Sequence, residues 1–424
     1  MDLLSELVVI QSPDRHRVNL FVGYIVSARM NTGEIDGVVR EMLDTTSFID
    51  MHTHLFAPSF RSLALWGIDD LLTYHYLEAE LFRFAPIRPE HYWSLTKTER
   101  ADLVWKTLFV ENTPISESTR GVVAVLHAFG LDSTATSLAS FREFFRDQDP
   151  ARHIERVFRL AGISDAVMTN DPLDDQEAAL WESGARAEKG FKASLRIDRL
   201  LNEGSRTTSE VRRCLESSAR LMNPVYMAVS LPDSFTFPAN DRRTALLRDA
   251  VMPVCREFGI PMALMIGVRR GVNPKLRSAG DAAGKADLRS LEALCSEFPD
   301  NRFLITVLSR ENQHELCVYA RKFSNILPFG CWWFLNNPSI VEEITRERLE
   351  MLGTSFIPQH SDARVLEQLI YKWRNTRRTL APVLSNAYRL LIEDGRPVAR
   401  EVIRRDVERL FRGNFEQWTG KRAD

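Results

Sequence analysis

Cysteine is scarce in this chain of 424 residues: five in all, Cys214, Cys255, Cys295, Cys317 and Cys331, with no C-x-x-C pair among them. An odd, scattered set excludes a disulfide framework and a thiolate metal site, and fits reduced thiols. Long apolar runs are missing as well, so nothing approaches the roughly 20 residues of a membrane-spanning helix. Charge of one sign is not in excess: 55 basic and 57 acidic residues are interspersed, for a net charge of −2. That balance leaves no basic surface for nucleic acid or an anionic membrane. The opening Met1-Asp2-Leu3-Leu4-Ser5-Glu6 carries acid where a secretory leader carries base. The expectation is a cytoplasmic protein with neither nucleic-acid nor membrane partners, a homo-oligomer being left open.

What is present is an ordinary globular composition, 44% hydrophobic and 26% charged, with a patterned order of segments. Residues 1–45 read as a mostly helical N-terminal segment ending in the amphipathic stretch 35–43. The apolar run Ser47-Phe48-Ile49-Asp50-Met51 follows. From 56 to 150 the spacing of Trp66, Tyr74, Tyr76 and Trp105 predicts a helical insertion with no strand. After 150, short apolar runs at 165–169, 191–196, 225–230, 262–267, 302–308, 325–329 and 355–359 alternate with helix-length amphipathic segments. With the run at 47–51 they make eight β/α units. Eight units in one chain predict an α/β fold, a (β/α)8 TIM-like barrel spanning 46–424 with C-terminal helices over 365–424. Pro328 and Pro358 are awkward in central strands and weaken the last two runs.

In such a barrel chemistry gathers at the C-terminal ends of the strands. The first run ends His52-Thr53-His54. Alternate residues of a strand share a face, so both imidazoles aim the same way, and two imidazoles suit a borderline divalent metal. The plain alternative is a surface strand with two solvated histidines. The eighth run ends His360-Ser361-Asp362-Ala363-Arg364, and Asp362 is the natural third ligand, with a helix N-cap as its competing role. His360 is better placed for the core. Arg196, Arg269, Arg270 and Arg364 stand at strand ends, where rigid guanidinium forks grip carboxylates; pairing with Asp171, Asp174 or Asp198 is the structural alternative. Tyr76 in Tyr74-His75-Tyr76 is a candidate for hydrogen bonding a substrate oxygen. Trp332 and Trp333 are candidates for an apolar wall, although aromatics at such places more often simply pack.

Taken together, several blocks resemble the uronate isomerase (glucuronate isomerase) family of the amidohydrolase superfamily. They are Ile49-Asp-Met-His-Thr-His-Leu55, His75-Tyr76, Thr169-Asn-Asp-Pro-Leu-Asp-Asp175, Leu195-Arg-Ile-Asp198, Trp332-Trp-Phe-Leu-Asn336 and Ser361-Asp-Ala-Arg364. The resemblance implies a barrel of the metal-dependent hydrolase type and aldose–ketose isomerisation of a small acidic sugar, D-glucuronate or D-galacturonate. It implies one divalent ion, zinc being expected, held by His52, His54 and Asp362. Asp362 and Tyr76 would be catalytic. Arg196, Arg364, Arg270, Trp332, Trp333 and His75 would bind the substrate. Three departures mark a divergent member. Met265-Ile266-Gly267 stands where the family has H-I-G, Leu77-Glu78-Ala79 follows the H-Y pair in place of K-W-R, and Ser230-Leu231-Pro232 replaces S-D-H. These keep two rivals open: a hydrolase or decarboxylase-like enzyme on the same scaffold, and a barrel that binds without turnover.

Overall fold

The structure, a computed structural model, describes residues 32–420. The expected N-terminal helix therefore lies mostly outside the described residues; its last part is the helix Ile35–Thr45. That helix forms because Ile35, Val38, Val39, Met42 and Leu43 fall on one face and bury it. It leads into β1, Phe48–Thr53, whose six residues are all buried.

The helical insertion appears as expected, with helices at Ile68–Leu72, His75–Phe84, Pro89–Ser94, Lys97–Trp105, Glu117–Phe129, Ala139–Arg146 and Pro150–Ala161. Local chemistry sets their ends. Thr96 caps the fourth, its hydroxyl accepting from the Glu99 N–H while Glu99 reaches back to the Thr96 N–H. Asp149 and Pro150 start the last, and Gly162, in the left-handed region, ends it and hands the chain to β2.

The strands β2 (Ile163–Asn170), β3 (Phe191–Arg196), β4 (Met227–Pro232) and β5 (Met262–Arg269) follow, separated by helices. β6 (Ala282–Ala283) is a two-residue strand antiparallel to β5, which the sequence pattern did not predict. β7 (Phe303–Val307) and β8 (Ile326–Pro328) complete the parallel order β1-β2-β3-β4-β5-β7-β8. The eighth apolar run, expected as a strand over 355–359, is reduced to one parallel bridge between Ile357 and Phe329. Its reason is Pro358, which has no N–H to give a ladder. Closure is nevertheless made by backbone bonds. Ile357 bonds Pro328 and Gly330 on one side, while the Asp362 N–H donates to the His52 carbonyl (3.1 Å) and the His54 N–H to the Ala363 carbonyl (2.7 Å) on the other.

Alternation along the strands divides the core in two. Ile49, Met51, Val167, Ala263, Met265 and Leu304 fill the barrel interior. Phe48, Met168, Leu195, Val229, Leu264 and Ile305 face the surrounding helices. The 26-residue helix Gln368–Glu393 follows the closing segment and runs back along the barrel. Among the described residues no helix is long and apolar enough to cross a membrane.

Candidate active site

The period of two on β1 carries His52 and His54 to the mouth together, and the closing bonds bring Asp362 beside them. The Asp362 Oδ1 lies 3.7 Å from His52 Nε2 and 3.2 Å from His54 Nε2. One ligand atom from each of the three falls within 4.8 Å of the others. Ligands held about 2.1 Å from a tetrahedral ion sit roughly 3.4 Å apart, so this is coordination spacing. Two further features fit a cation. The Asp362 Oδ1 is buried and has no hydrogen-bond partner among the described residues. Burial, opposed by the Asp362 carboxylate, lowers His52 to about 3, and burial together with Arg364 and Arg196 lowers His54 well below its ordinary value. Both rings are therefore neutral and keep a lone pair. Asp362 is also held at φ +53°, a conformation Asp tolerates better than most side chains.

The tautomer of His52 follows from its neighbours. The single hydroxyl proton of Tyr226 goes to the Met51 carbonyl at 2.7 Å, so Tyr226 accepts from His52 Nδ1–H at 3.0 Å. The Nε2 lone pair then faces Asp362 and His54. Asp50 fastens the other strand end. Fully buried, it accepts from the Ser361 N–H (3.1 Å) and from Trp373 Nε1 (2.9 Å), and burial pushes its carboxyl up to about 6. His360 is fully buried against Phe329 and His52, both ring nitrogens unpartnered, and burial lowers it to about 3. It fits only because residue 330 is glycine: a Cβ there would sit 1.8 Å from His360 Nδ1.

A cleft opens above this group. Of the candidate substrate ligands, Arg196, Arg270, Arg364, Trp332, Trp333 and His75 all line it, together with Thr169, Asp198 and Met265. Arg196 pairs with Asp198 at 3.0 Å, and Arg270 pairs with Asp281 at 2.5 Å while lying 5.4 Å over the Trp333 ring. Arg364 is exposed and has no carboxylate partner among the described residues. The fourth strand-end arginine, Arg269, turns outward toward Asp233, and Asp171 and Asp174 pair with Arg199 instead. Trp333 Nε1 donates to His75 Nε2 at 3.1 Å, fixing both rings on one wall. Tyr76 is not in the lining. Its ring packs 5.0 Å from Tyr74 and 4.5 Å from His75, under the Lys372 ammonium.

Sequence reasoning named neither Tyr226 nor Asp50 as a functional residue. Tyr226 reaches His52 across the barrel and leaves no local pattern. Asp50 did leave one, a carboxylate inside an otherwise apolar strand.

No protein-family model and no curated protein sequence matches the chain. Solved structures do. A uronate isomerase from Bacillus halodurans C-125 is 46% identical, with a TM-score of 0.90, over 92% of this chain and 97% of that one. A uronate isomerase from Thermotoga maritima (16% identity, TM-score 0.74, 92% and 98% coverage) and a glucuronate isomerase from Caulobacter crescentus (14%, 0.63, 93% and 95%) share the fold.

Proposed function

The chain belongs to the uronate isomerase family, and on that footing we propose that it interconverts a hexuronate of the D-glucuronate or D-galacturonate type with its 2-ketose. The observation that carries this reading is the cleft's polarity. Three guanidinium groups, Arg196, Arg270 and Arg364, line the space that His52, His54 and Asp362 also reach. A uronate has that shape: a carboxylate at one end and a carbonyl with an adjacent hydroxyl at the other.

In this reading His52, His54 and Asp362 hold one divalent ion, with zinc the expected one from its imidazole and carboxylate donors. Bound there, the ion would supply Lewis-acid chemistry to the carbonyl end of the sugar. Arg364, without a carboxylate partner among the described residues, takes the substrate carboxylate, and Arg196 and Arg270 add charge from the same cleft. Holding the far end fixes which carbon lies against Asp362. The Asp362 carboxylate takes the C2 proton. The C2–H pair becomes the C1–C2 double bond, the carbonyl π pair moves to O1, and O1 takes a proton from solvent, giving an enediol. The O2 proton then returns to solvent, the double bond moves to C2–O2, and Asp362, its acid proton exchanged with solvent, protonates C1. His75 and Trp333 form the wall beside the sugar, with Tyr76 packed behind His75. Met265 contributes a soft apolar surface and no proton. The unpaired cysteines suit the cytoplasm.

The test is a panel of acidic sugars given to metal-loaded protein, with ketose formation followed. Conversion of D-glucuronate or D-galacturonate supports the proposal. A panel left unchanged by protein with metal bound would turn the reading toward the hydrolase or decarboxylase-like rival, or toward a barrel that binds without turnover.

A further inference from the structure

A second cleft, of about 350 Å³, lies at the opposite end of the barrel, where β1 and β2 begin. Its charge comes from Arg159 on the helix Pro150–Ala161 and from Arg374, Arg377 and Arg378 on the helix Gln368–Glu393, against one acid, Asp44. Arg377 is accounted for by the fold. It donates to the carbonyls of Leu43 (2.9 Å), Ala161 (2.7 Å) and Gly162 (3.0 Å), at the ends of two helices, and lies 4.2 Å over the Phe48 ring. The other three are not. Arg159, Arg374 and Arg378 are exposed and make no ion pair or side-chain hydrogen bond among the described residues. Arg374 and Arg378 stand four apart on one helix face, an arrangement that like charges disfavour unless an anion lies between them.

We propose that this cleft binds a small hydroxylated anion bearing two phosphate groups, of the sugar-bisphosphate kind. The volume suits a small ligand rather than a protein surface. Guanidinium forks on two helices match phosphate oxygens in bidentate fashion, and two helices carrying unpaired arginines call for two anionic groups. Asp44 repels a bare polyanion and accepts from a hydroxyl, which favours a polyhydroxy backbone.

Calorimetric titration of the full chain with fructose 1,6-bisphosphate, at constant ionic strength, tests this. The expected result is one molecule per chain, bound roughly tenfold more tightly than inorganic phosphate. Arg374→Ala/Arg378→Ala, and separately Arg159→Ala, each weaken it by roughly tenfold or more while the melting temperature without ligand and the KM for uronate stay unchanged. Arg364→Ala in the first cleft leaves it intact. Absence of binding at millimolar concentration, equal binding by the arginine variants, loss of binding in Arg364→Ala, or inorganic phosphate binding as tightly as the bisphosphate would each overturn the proposal.

Discussion

Tyr226→Phe isolates one hydroxyl and leaves the packing intact. Phenylalanine keeps the ring that fills the fully buried position, so no cavity opens. What disappears is a relay: His52 Nδ1–H loses its acceptor at 3.0 Å and the Met51 carbonyl loses its donor at 2.7 Å. An orphaned buried polar group costs about 1–3 kcal/mol, and the backbone carbonyl retains a second lone pair, so a total near 2 kcal/mol is expected. That lowers the melting temperature of the metal-free protein by a few degrees. Metal affinity suffers separately. With Nδ1–H unfastened the imidazole can change tautomer or rotate, and losing such a support weakens metal binding by about 10–100-fold. Competition with a chromophoric zinc chelator measures that loss, and calorimetry of the chelated protein measures the stability term. Unchanged zinc affinity in a protein destabilised as expected would refute the argument that Tyr226 sets the lone pair of His52.

Arg364→Ala should raise the KM for a uronate about 10–100-fold, as expected for a charge-assisted carboxylate contact, with a smaller effect on kcat in steady-state assays. Met265→Leu conserves volume and should leave kcat within about threefold, because in this account no proton passes through that thioether; a near-total loss in the same assay would show that the sulfur takes part. Glu177 accepts from Asn170, the Asp171 N–H and Trp181, yet burial raises it from 4.5 to about 7. The folded chain then binds a proton the unfolded chain releases, so this group's contribution falls by up to about 3 kcal/mol as pH rises from 4.5 to about 7. Glu177→Gln should flatten that part of the curve of urea-unfolding free energy against pH.

Much of the architecture was legible because it rests on periodicity. The first seven apolar runs become parallel strands in chain order, and the H-x-H spacing alone put two imidazoles on one side of β1. Asp362 could be paired with them because a barrel's last unit adjoins its first. The eighth run kept its place and lost its ladder, since the apolar pattern outweighs a missing N–H on paper and Pro358 decides in the structure. Tyr76 shares a helix turn with His75, yet one residue along a helix turns the side chain by about 100°, which takes it out of the cleft lining. Asp50 and Tyr226 needed the closed barrel. Their partners, Ser361 and Trp373 for one and His52 for the other, lie 174 to 323 residues away in sequence.

The central claim, proton transfer between C2 and C1 of a uronate in this cleft, is tested most directly by proton NMR of the metal-loaded protein with D-glucuronate or D-galacturonate in D2O. The account predicts ketose product carrying solvent deuterium at C1, with the exchange abolished in Asp362→Asn. Ketose formed without deuterium would point to shielded or hydride-type transfer and contradict Asp362 as a solvent-exchanging base. No conversion and no exchange with metal bound would contradict the isomerase reading itself.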